Sequence, residues 1–200
     1  LILATTRNIV NADRFVRNKS WARRPFPFGI GLAGKTLGIL GYGRIGEEIT
    51  KRAQTFGLEI AYHNRKPKDL PFTYHSSITD LAAASDILLC MLPGGEGTRN
   101  AIDENVLAAL GPEGIFINVG RGSDEAALVS ALQEKKIFAA GLDVYADEPN
   151  VPEALLNMDN VVLLPHIGSA TVETRRAMGQ LVIDNLEAFF ADKPLLTEVD

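Results

Sequence analysis

The sequence has few of the residues that build disulfide frameworks, metal centres or membrane spans. It contains one cysteine, three histidines and one tryptophan in 200 residues. A single cysteine forms no intrachain disulfide, which predicts a reducing compartment, the cytoplasm. No apolar stretch approaches the roughly 18 residues that a membrane span requires. We therefore expect no membrane partner and no metal site.

An excess of positive charge is also missing. The chain has 20 Lys and Arg residues against 25 Asp and Glu residues, a formal net charge of −5. This balance gives no electrostatic reason to expect a nucleic-acid partner. Basic residues cluster only locally, in "WARRP" (21–25) and "NRKPK" (64–68). The 46% of hydrophobic residues suffices for one sizeable core.

What the sequence does contain is an alternation of short apolar runs and helical segments. The predicted strands are "KTLGIL", "LEIAYHN", "DILLCML", "GIFINVG", "IFAAGLDV" and "NVVLLPH". The predicted helices cover 44–56, 78–85, 103–110 and 124–135. Apolar strands separated by helices are typical of a parallel sheet covered on both faces. The sequence thus predicts an α/β fold with a doubly wound parallel sheet.

The two ends of the chain have a different pattern. One N-terminal helix is predicted from the apolar residues Leu3, Ile9, Val10, Phe15 and Val16. A loop rich in Pro and Gly (23–34) follows it. A last helix, about 171–191, has an apolar face predicted to pack against a neighbouring element: Met178, Leu181, Val182, Leu186, Phe189 and Phe190. We expect a helix and arm at 1–34, a dinucleotide-binding domain at 35–170 and a C-terminal helix at 171–200.

The stretch "LGILGYGRIG" places glycines in the spacing G-x-G-x-x-G between a strand and a helix. Gly41 would allow a sharp turn, Gly43 a close approach of the backbone to a pyrophosphate, and Gly46 close packing of helix on strand. The amides at the helix start would face the phosphates. Because the strand and helix context is present, the pattern predicts a dinucleotide site.

The end of the second strand bears on which dinucleotide is bound. An NAD site usually has Asp or Glu about 20 residues after the glycines, to bind the ribose 2′-hydroxyl. Here the position holds Asn64, followed by Arg65 and Lys66. Two cations without a carboxylate favour a 2′-phosphate, so NADP is preferred and NAD stays possible. The alternative is that Arg65 and Lys66 form a solvated turn.

Three strand exits carry polar residues that suit reduction of a keto acid. An arginine such as Arg121 can hold a carboxylate bidentately, and His166 can supply a proton to the developing alkoxide. A carboxylate such as Glu148 favours the protonated form of an imidazole. Each has an alternative: Arg121 could bind a phosphate or a helix end, Glu148 could cap a turn, and His166 could be structural.

Five motifs in order carry a resemblance to a known family. They are "GKTLGILGYGRIG", "LPGGEGTRN", "GIFINVGRG", "GLDVYADEP" and "LLPHIGSAT". With them the sequence resembles the cofactor-binding domain of the D-isomer-specific 2-hydroxyacid dehydrogenases, above all the glyoxylate/hydroxypyruvate reductase branch. The resemblance covers nearly all of the chain and implies a Rossmann-type NAD(P)-binding domain.

The resemblance also implies residue roles. Arg121 would bind the substrate carboxylate and keto oxygen, His166 would donate the proton, and Glu148 would pair with His166. Asp143 would contact the nicotinamide amide. The whole implied cofactor-binding set is Gly41, Gly43, Arg44, Ile45, Gly46, Asn64, Arg65, Lys66, Leu92, Pro93, Thr98, Val119, Gly120, Arg121, Asp143, His166, Gly168 and Ser169.

Assembly and completeness follow from the same resemblance. It implies a homodimer joined through the helix and arm before the glycine strand, with Trp21 either reaching the partner's active site or packing within the interface. It also implies most of a second, substrate-binding domain before Leu1. The family usually has two apolar residues where Ser123 here runs directly into Asp124. We expect that a pair of residues is omitted from the chain at this point.

The sequence supports one main function and two alternatives. The main hypothesis is a reductase that transfers a hydride from NADPH to a small 2-keto acid, such as glyoxylate or hydroxypyruvate, to give the D-2-hydroxy acid. One alternative is a non-catalytic dinucleotide sensor that regulates a protein partner. The other is a related 2-hydroxyacid or formate dehydrogenase.

Overall fold

Seven parallel strands form a single sheet in the computed structural model, which describes residues 1–198. The order across the sheet is β3-β2-β1-β4-β5-β6-β7. The strands are β1 (Thr36–Leu40), β2 (Glu59–His63), β3 (Thr73–Tyr74), β4 (Ile87–Cys90), β5 (Ile115–Asn118), β6 (Ala139–Leu142) and β7 (Val161–Leu163). The order reverses between β1 and β4, which is where ligands bind in doubly wound sheets.

Eight helices accompany these strands within the described residues. They are α1 (Ile2–Thr6), α2 (Ile9–Arg17), α3 (Arg44–Thr55), α4 (Ile78–Ala83), α5 (Glu104–Leu110), α6 (Glu125–Gln133), α7 (Glu153–Leu156) and α8 (Val172–Phe190). Single 3₁₀ turns cover Ser20–Ala22 and Glu96–Thr98. The α/β, doubly wound fold predicted from the sequence is confirmed.

The central strands are apolar throughout because each face of the sheet is covered. Successive side chains of a strand point to opposite faces. Leu40, Leu88 and Phe116 belong to one buried cluster, whereas Ile39 and Ile117 belong to the other. Every residue of β4, β5 and β6 is buried. A half-exposed strand would instead alternate apolar and polar residues.

The helices over the sheet begin at residues that cap them. Ser77 accepts a hydrogen bond from Asp80 N, and Asp124 accepts one from Ala127 N. Asp103 accepts bonds from the amides of Asn105 and Val106, and the Val106 bond lowers the pKa of the Asp103 carboxyl. These side chains satisfy amides that have no partner inside the helix.

The N-terminal segment differs from the prediction of a single helix. The chain forms two helices, α1 and α2, with Asn8 between them at φ +51°. Asparagine tolerates this left-handed conformation, which ends one helix before the next begins. Of the apolar residues from which the helix was predicted, Phe15 is buried, whereas Ile9 and Val16 are exposed. The short elements β3 and α7 were not predicted, because two to four residues show no periodicity.

The chain divides into two compact units, Leu1–Pro165 and a second that begins at His166. In the second unit, Thr171 caps α8 by accepting a bond from Thr174 N, and the Asn185 side chain accepts bonds from Leu196 N and Thr197 N. The predicted boundaries at 34 and 170 stay predictions. The last two residues of the predicted C-terminal range, 199–200, lie outside the described residues.

The apolar face predicted for the last helix is not covered inside its own unit. The six apolar residues named for it are between 39% and 80% exposed: Met178, Leu181, Val182, Leu186, Phe189 and Phe190. Among the helical residues of this unit, Ala188 alone is buried. Periodicity identified the helix correctly, but it does not identify the surface that covers its apolar face.

The described part of the chain offers neither a membrane-spanning helix nor a cluster of metal ligands. No helix there is long and apolar enough to cross a membrane. No group of three or more His, Cys, Asp and Glu side chains in that part could hold a metal ion.

Candidate functional site

The carboxyl ends of all seven strands lie at one edge of the sheet, because every pair of neighbours is parallel. β1 ends at Leu40, immediately before the glycine turn. β2 ends one residue before Asn64, and β5 ends three residues before Arg121. The fold thus brings the predicted cofactor turn and the predicted substrate arginine to the same edge.

The three glycines have three different environments. Gly41 has φ +91°, and a Cβ on it would lie 3.2 Å from Met91 O. A Cβ on Gly46 would lie 2.9 Å from Met91 Cε, so this glycine permits close packing of α3 on the sheet. A Cβ on Gly43 would meet no atom within 4 Å. The open space at Gly43 is where a phosphate would approach the backbone, and the turn therefore fits a dinucleotide.

Helix α3 begins directly after the turn and presents its first amides there. Gly43 is the N-cap and, having no side chain, supplies no capping bond. The first intrahelical bond runs from Glu47 N to Gly43 O, so the amides of Arg44, Ile45 and Gly46 have no partner within the helix. These amides and the helix dipole favour an anionic ligand such as a pyrophosphate.

The loop after β2 carries positive charge and no carboxylate. The Asn64 side chain donates to Tyr42 O at 3.0 Å, which links this loop to the glycine turn. Arg65 and Lys66 follow and are both exposed. Within the described residues neither cation forms an ion pair with a protein carboxylate. The loop can therefore present two positive charges to a phosphate group.

Arg121 and Glu148 meet across two strand exits. Arg121 Nη1 lies 3.2 Å from Glu148 Oε1, and the same oxygen accepts a bond from Tyr145 N at 3.0 Å. The Arg121 side chain is 40% exposed and that of Glu148 is 28% exposed. Both groups can therefore be reached from solvent while the carboxylate orients the guanidinium.

Arg121 also lines a cleft of about 350 Å³. Three predicted site residues line it, namely Thr98, Gly120 and Arg121. Its other lining residues are Gly94, Gly95, Glu96, Arg99, Asn100, Asn118, Gly122, Ser123, Glu125, Tyr145 and Ala146. The volume and the guanidinium suit a small anionic molecule.

Backbone hydrogen bonds tie the walls of this cleft together. Arg121 N donates to Leu92 O at 2.8 Å, and Val119 N donates to Cys90 O. Thr98 Oγ1 donates to Pro93 O at 2.7 Å. A Cβ on Gly120 would lie 2.7 Å from Leu92 O, so only glycine fits there. The predicted residues of the β4 and β5 exits therefore form one connected wall.

The remaining predicted residues follow β6 and β7 along the chain. Asp143 is buried directly after β6, and its amide donates to Asn118 O. His166 begins the second unit with φ +54°, and Gly168 and Ser169 follow it there. The predicted pairing of Glu148 with His166 stays a prediction.

Three residues of the site were not predicted from the sequence. Asn118 accepts a bond from Gly120 N and donates to Val144 O. Glu125 Oε1 accepts a bond from Ala146 N at 2.8 Å. Tyr145 OH donates to Leu164 O, and burial raises the pKa of this phenol. A polar residue ending an all-apolar strand was the available signal for Asn118. Glu125 and Tyr145 could not be recognised, because their bonds to distant backbone groups produce no pattern in the sequence.

Comparison with known proteins establishes the family. The profile described as "D-isomer specific 2-hydroxyacid dehydrogenase, NAD binding domain" matches residues 1–168. The chain belongs to this family. The resemblance seen in the five motifs is therefore confirmed, and with it the Rossmann-type NAD-binding domain.

Relatives within the D-2-hydroxyacid dehydrogenase family resemble the whole chain. A glyoxylate/hydroxypyruvate reductase A of Arabidopsis thaliana is 48% identical over 100% of this chain and 64% of its own length. A 2-ketogluconate reductase of Gluconobacter oxydans is 46% identical over 100% of this chain and 65% of its own. The chain thus spans a little under two thirds of the length of these curated relatives.

A solved structure in the family is similar in both fold and sequence. It is the NADPH-dependent glyoxylate/hydroxypyruvate reductase of Sinorhizobium meliloti in complex with NADP and malonate. The TM-score is 0.94 and the identity 50%, over 99% of this chain and 64% of that one.

Backbone hydrogen bonds to Ile102 hold the chain on both sides of the junction between Ser123 and Asp124. Ile102 N donates to Gly122 O at 2.9 Å, and Asp124 N donates to Ile102 O at 3.0 Å. The alignment with the Arabidopsis relative spans 202 positions, two more than the 200 residues of this chain. The expectation that a residue pair is omitted here stays a prediction.

Proposed function

We propose that this chain is the cofactor-binding part of a reductase that converts a small 2-keto acid to the D-2-hydroxy acid with NADPH. The observation that carries the proposal is the shared sheet edge. The glycine turn lies at the exit of β1, and Arg121 lines a small cleft beside the exit of β5. A hydride donor and a keto acid held at one edge can react directly.

The named relatives support the substrate class. Glyoxylate, hydroxypyruvate and 2-ketogluconate, after which these relatives are named, are all 2-keto acids. They share a carboxylate next to a carbonyl and differ in the rest of the molecule. An arginine is suited to that shared part, because its planar fork binds a carboxylate through two hydrogen bonds.

The proposed cofactor is NADPH, with NADH as the weaker alternative. Arg65 and Lys66 are exposed and adjacent, and Asn64 occupies the position where an acidic residue would bind a 2′-hydroxyl. The similar reductase of Sinorhizobium meliloti is NADPH-dependent. Bound NADPH supplies the hydride. The protein supplies the amides of α3 for the pyrophosphate and these two cations for the 2′-phosphate.

We assign three roles to the proposed catalytic residues. Arg121 binds the substrate carboxylate and polarises the keto oxygen. His166 donates the proton that this oxygen needs when the adjacent carbon receives the hydride. Glu148 is proposed to keep the imidazole protonated as well as to orient Arg121, with which it forms an ion pair at 3.2 Å.

The reaction is tested by following NADPH oxidation in the full-length protein with glyoxylate, hydroxypyruvate and 2-ketogluconate. We expect turnover of at least one of these three substrates, and a higher rate with NADPH than with NADH. His166→Ala should lower kcat about 10²- to 10⁴-fold, because the proton donor is lost. His75→Ala is the matched control, because the backbone of His75 makes its hydrogen bonds, with His63 Nδ1 at its oxygen and with Tyr62 O at its amide. It should leave kcat near the parent value.

Two results would contradict this proposal. Parent-like turnover in His166→Ala would remove the proton-donor role. NADPH binding without turnover of any 2-keto acid would favour the dinucleotide sensor instead.

A homodimer is the proposed assembly, joined through the helices and arm at 1–34. Support comes from the apolar side chains this segment leaves exposed, Trp21 at 70% and Phe28 at 103%. Exposed aromatic residues are enriched at protein interfaces.

A further inference from the structure

The basic loop after β2 is fastened at both of its ends. At its start, Asn64 Nδ2 donates to Tyr42 O at 3.0 Å, and Tyr74 OH donates to Asn64 O at 3.3 Å. At its end, Tyr62 OH donates to Lys68 O at 2.8 Å and accepts a bond from Lys68 N at 3.0 Å. A single hydroxyl thus satisfies both backbone groups of Lys68.

Tyr62 is itself held rigidly by the interior of the protein. Its exposed fraction is 1%, and it lies on β2 inside the sheet. Its ring centroid is 5.6 Å from that of Tyr42 and 5.4 Å from that of Tyr74. A buried ring packed among aromatic neighbours has one available orientation. The hydroxyl is therefore a fixed point to which the loop is attached.

The two cations lie between these anchors. Arg65 and Lys66 are exposed. Among the described residues, no carboxylate forms an ion pair with either side chain. Ordering a mobile loop around a phosphate costs conformational entropy. That cost is smaller when the backbone on both sides of the cations is already fixed.

We infer that Tyr62 is a positioning residue for recognition of the cofactor's 2′-phosphate, acting through the backbone of Lys68 on the loop that carries Arg65 and Lys66. The inference rests on the proposed preference for NADPH. Tyr62 does not touch the cofactor in this scheme. Its effect is on selectivity, because NADH lacks the phosphate that the loop binds.

The test is Tyr62→Phe, which removes the hydroxyl and keeps the ring in the core. Binding of NADPH, NADH and the fragment adenosine 2′,5′-bisphosphate is measured by calorimetry. We expect the Kd for NADPH and for the bisphosphate to rise about tenfold, equivalent to about 1.4 kcal/mol. The Kd for NADH should change less than about twofold, since NADH lacks the phosphate that Arg65 and Lys66 are proposed to bind.

Two further variants separate this effect from general destabilisation. Ile60→Val removes a methyl group from the same strand and leaves the hydroxyl in place. It should lower stability without changing the NADPH to NADH ratio. Pro67→Gly loosens the loop without touching the core, and it should reproduce the selective loss of NADPH affinity.

Arg65→Ala is the reference that tests the proposed cofactor preference itself. A loss of NADPH affinity in Arg65→Ala together with an unchanged ratio in Tyr62→Phe would overturn the inference about Tyr62 alone. Equal losses of NADPH and NADH in Arg65→Ala would overturn the 2′-phosphate assignment. A selective loss in Arg65→Ala, Tyr62→Phe and Pro67→Gly would support both.

Discussion

At the scale of single residues, burial determines chemical behaviour more than residue type does. Cys90 lies at the end of β4 and its exposed fraction is 0%. Its Sγ donates to Arg121 O at 3.2 Å. Burial raises the pKa of this thiol to about 11, because the interior disfavours the thiolate. Although it lies next to the backbone of Arg121, the thiol is therefore not a nucleophile at neutral pH.

This predicts slow reaction of Cys90 with thiol reagents in the folded protein. With the pKa near 11, about one thiol in a thousand is ionised at pH 8, far fewer than for a free cysteine. Modification by a disulfide reagent at pH 8 should be more than about 100-fold slower in the native protein than in urea. A native rate equal to the denatured rate would show that the thiol is accessible.

At the scale of elements, helix α4 lies unusually close to strand β1. A Cβ on Gly38 would collide with Ser85 Oγ and would lie 3.1 Å from Leu81 Cδ1. The Ser85 hydroxyl is directed by its bond to Leu81 O at 2.6 Å. Because Ser85 and Leu81 are both buried, neither has space into which it can move. Glycine at position 38 is therefore required by packing.

Gly38→Ala should destabilise the protein by about 1–3 kcal/mol, the usual cost of adding a methyl group to a filled core. Urea denaturation measures this as a lower midpoint with an unchanged slope. Gly31→Ala is the matched control, because a Cβ there would meet no atom within 4 Å. If both variants lost the same stability, the close approach at Gly38 would not be the cause.

The sequence predicted elements well where their physical signal is local. The six predicted strands and the predicted helices at 44–56, 78–85, 103–110 and 124–135 all correspond to elements of the structure. The break at Asn8 was missed, because the apolar residues on either side continue at helical spacing. Helix boundaries are missed where the left-handed conformation of one residue, here Asn8, separates two helices.

The site could be predicted in part for the same reason. Glycine spacing and polar residues at strand ends pointed to Gly43, Asn64 and Arg121. The ion pair between Arg121 and Glu148 joins residues 27 apart, and its geometry depends on the parallel pairing of β5 with β6. The bonds of Tyr62 to Lys68 also lay beyond sequence reasoning, since a tyrosine in an apolar strand signals only burial.

At the scale of the whole molecule, stability is concentrated in the middle of the sheet. β1, β4 and β5 have a strand on each side and helices over both faces, whereas β3 is a two-residue edge strand. Local opening requires the loss of few buried contacts at the edge and of many at the centre. The most stable part of the sheet thus lies directly beneath the glycine turn.

Native-state hydrogen exchange should reveal this gradient. Amides of β4 and β5 should exchange only through global unfolding, whereas those of β3 should exchange through local opening. The two classes can be separated by their dependence on low urea concentrations. Amides of β3 that exchanged as slowly as those of β5 would mean that the sheet opens as one unit.

The common direction of the seven strands has a consequence for how such a protein can diversify. Each loop at the carboxyl edge leaves its own strand, and β2 is separated from β5 by β1 and β4. A replacement in the connection proposed to meet the adenosine end of the coenzyme therefore leaves the connection that carries Arg121, three strands along, undisturbed. The specificity for the coenzyme and the specificity for the acid substrate can therefore change independently on the same sheet.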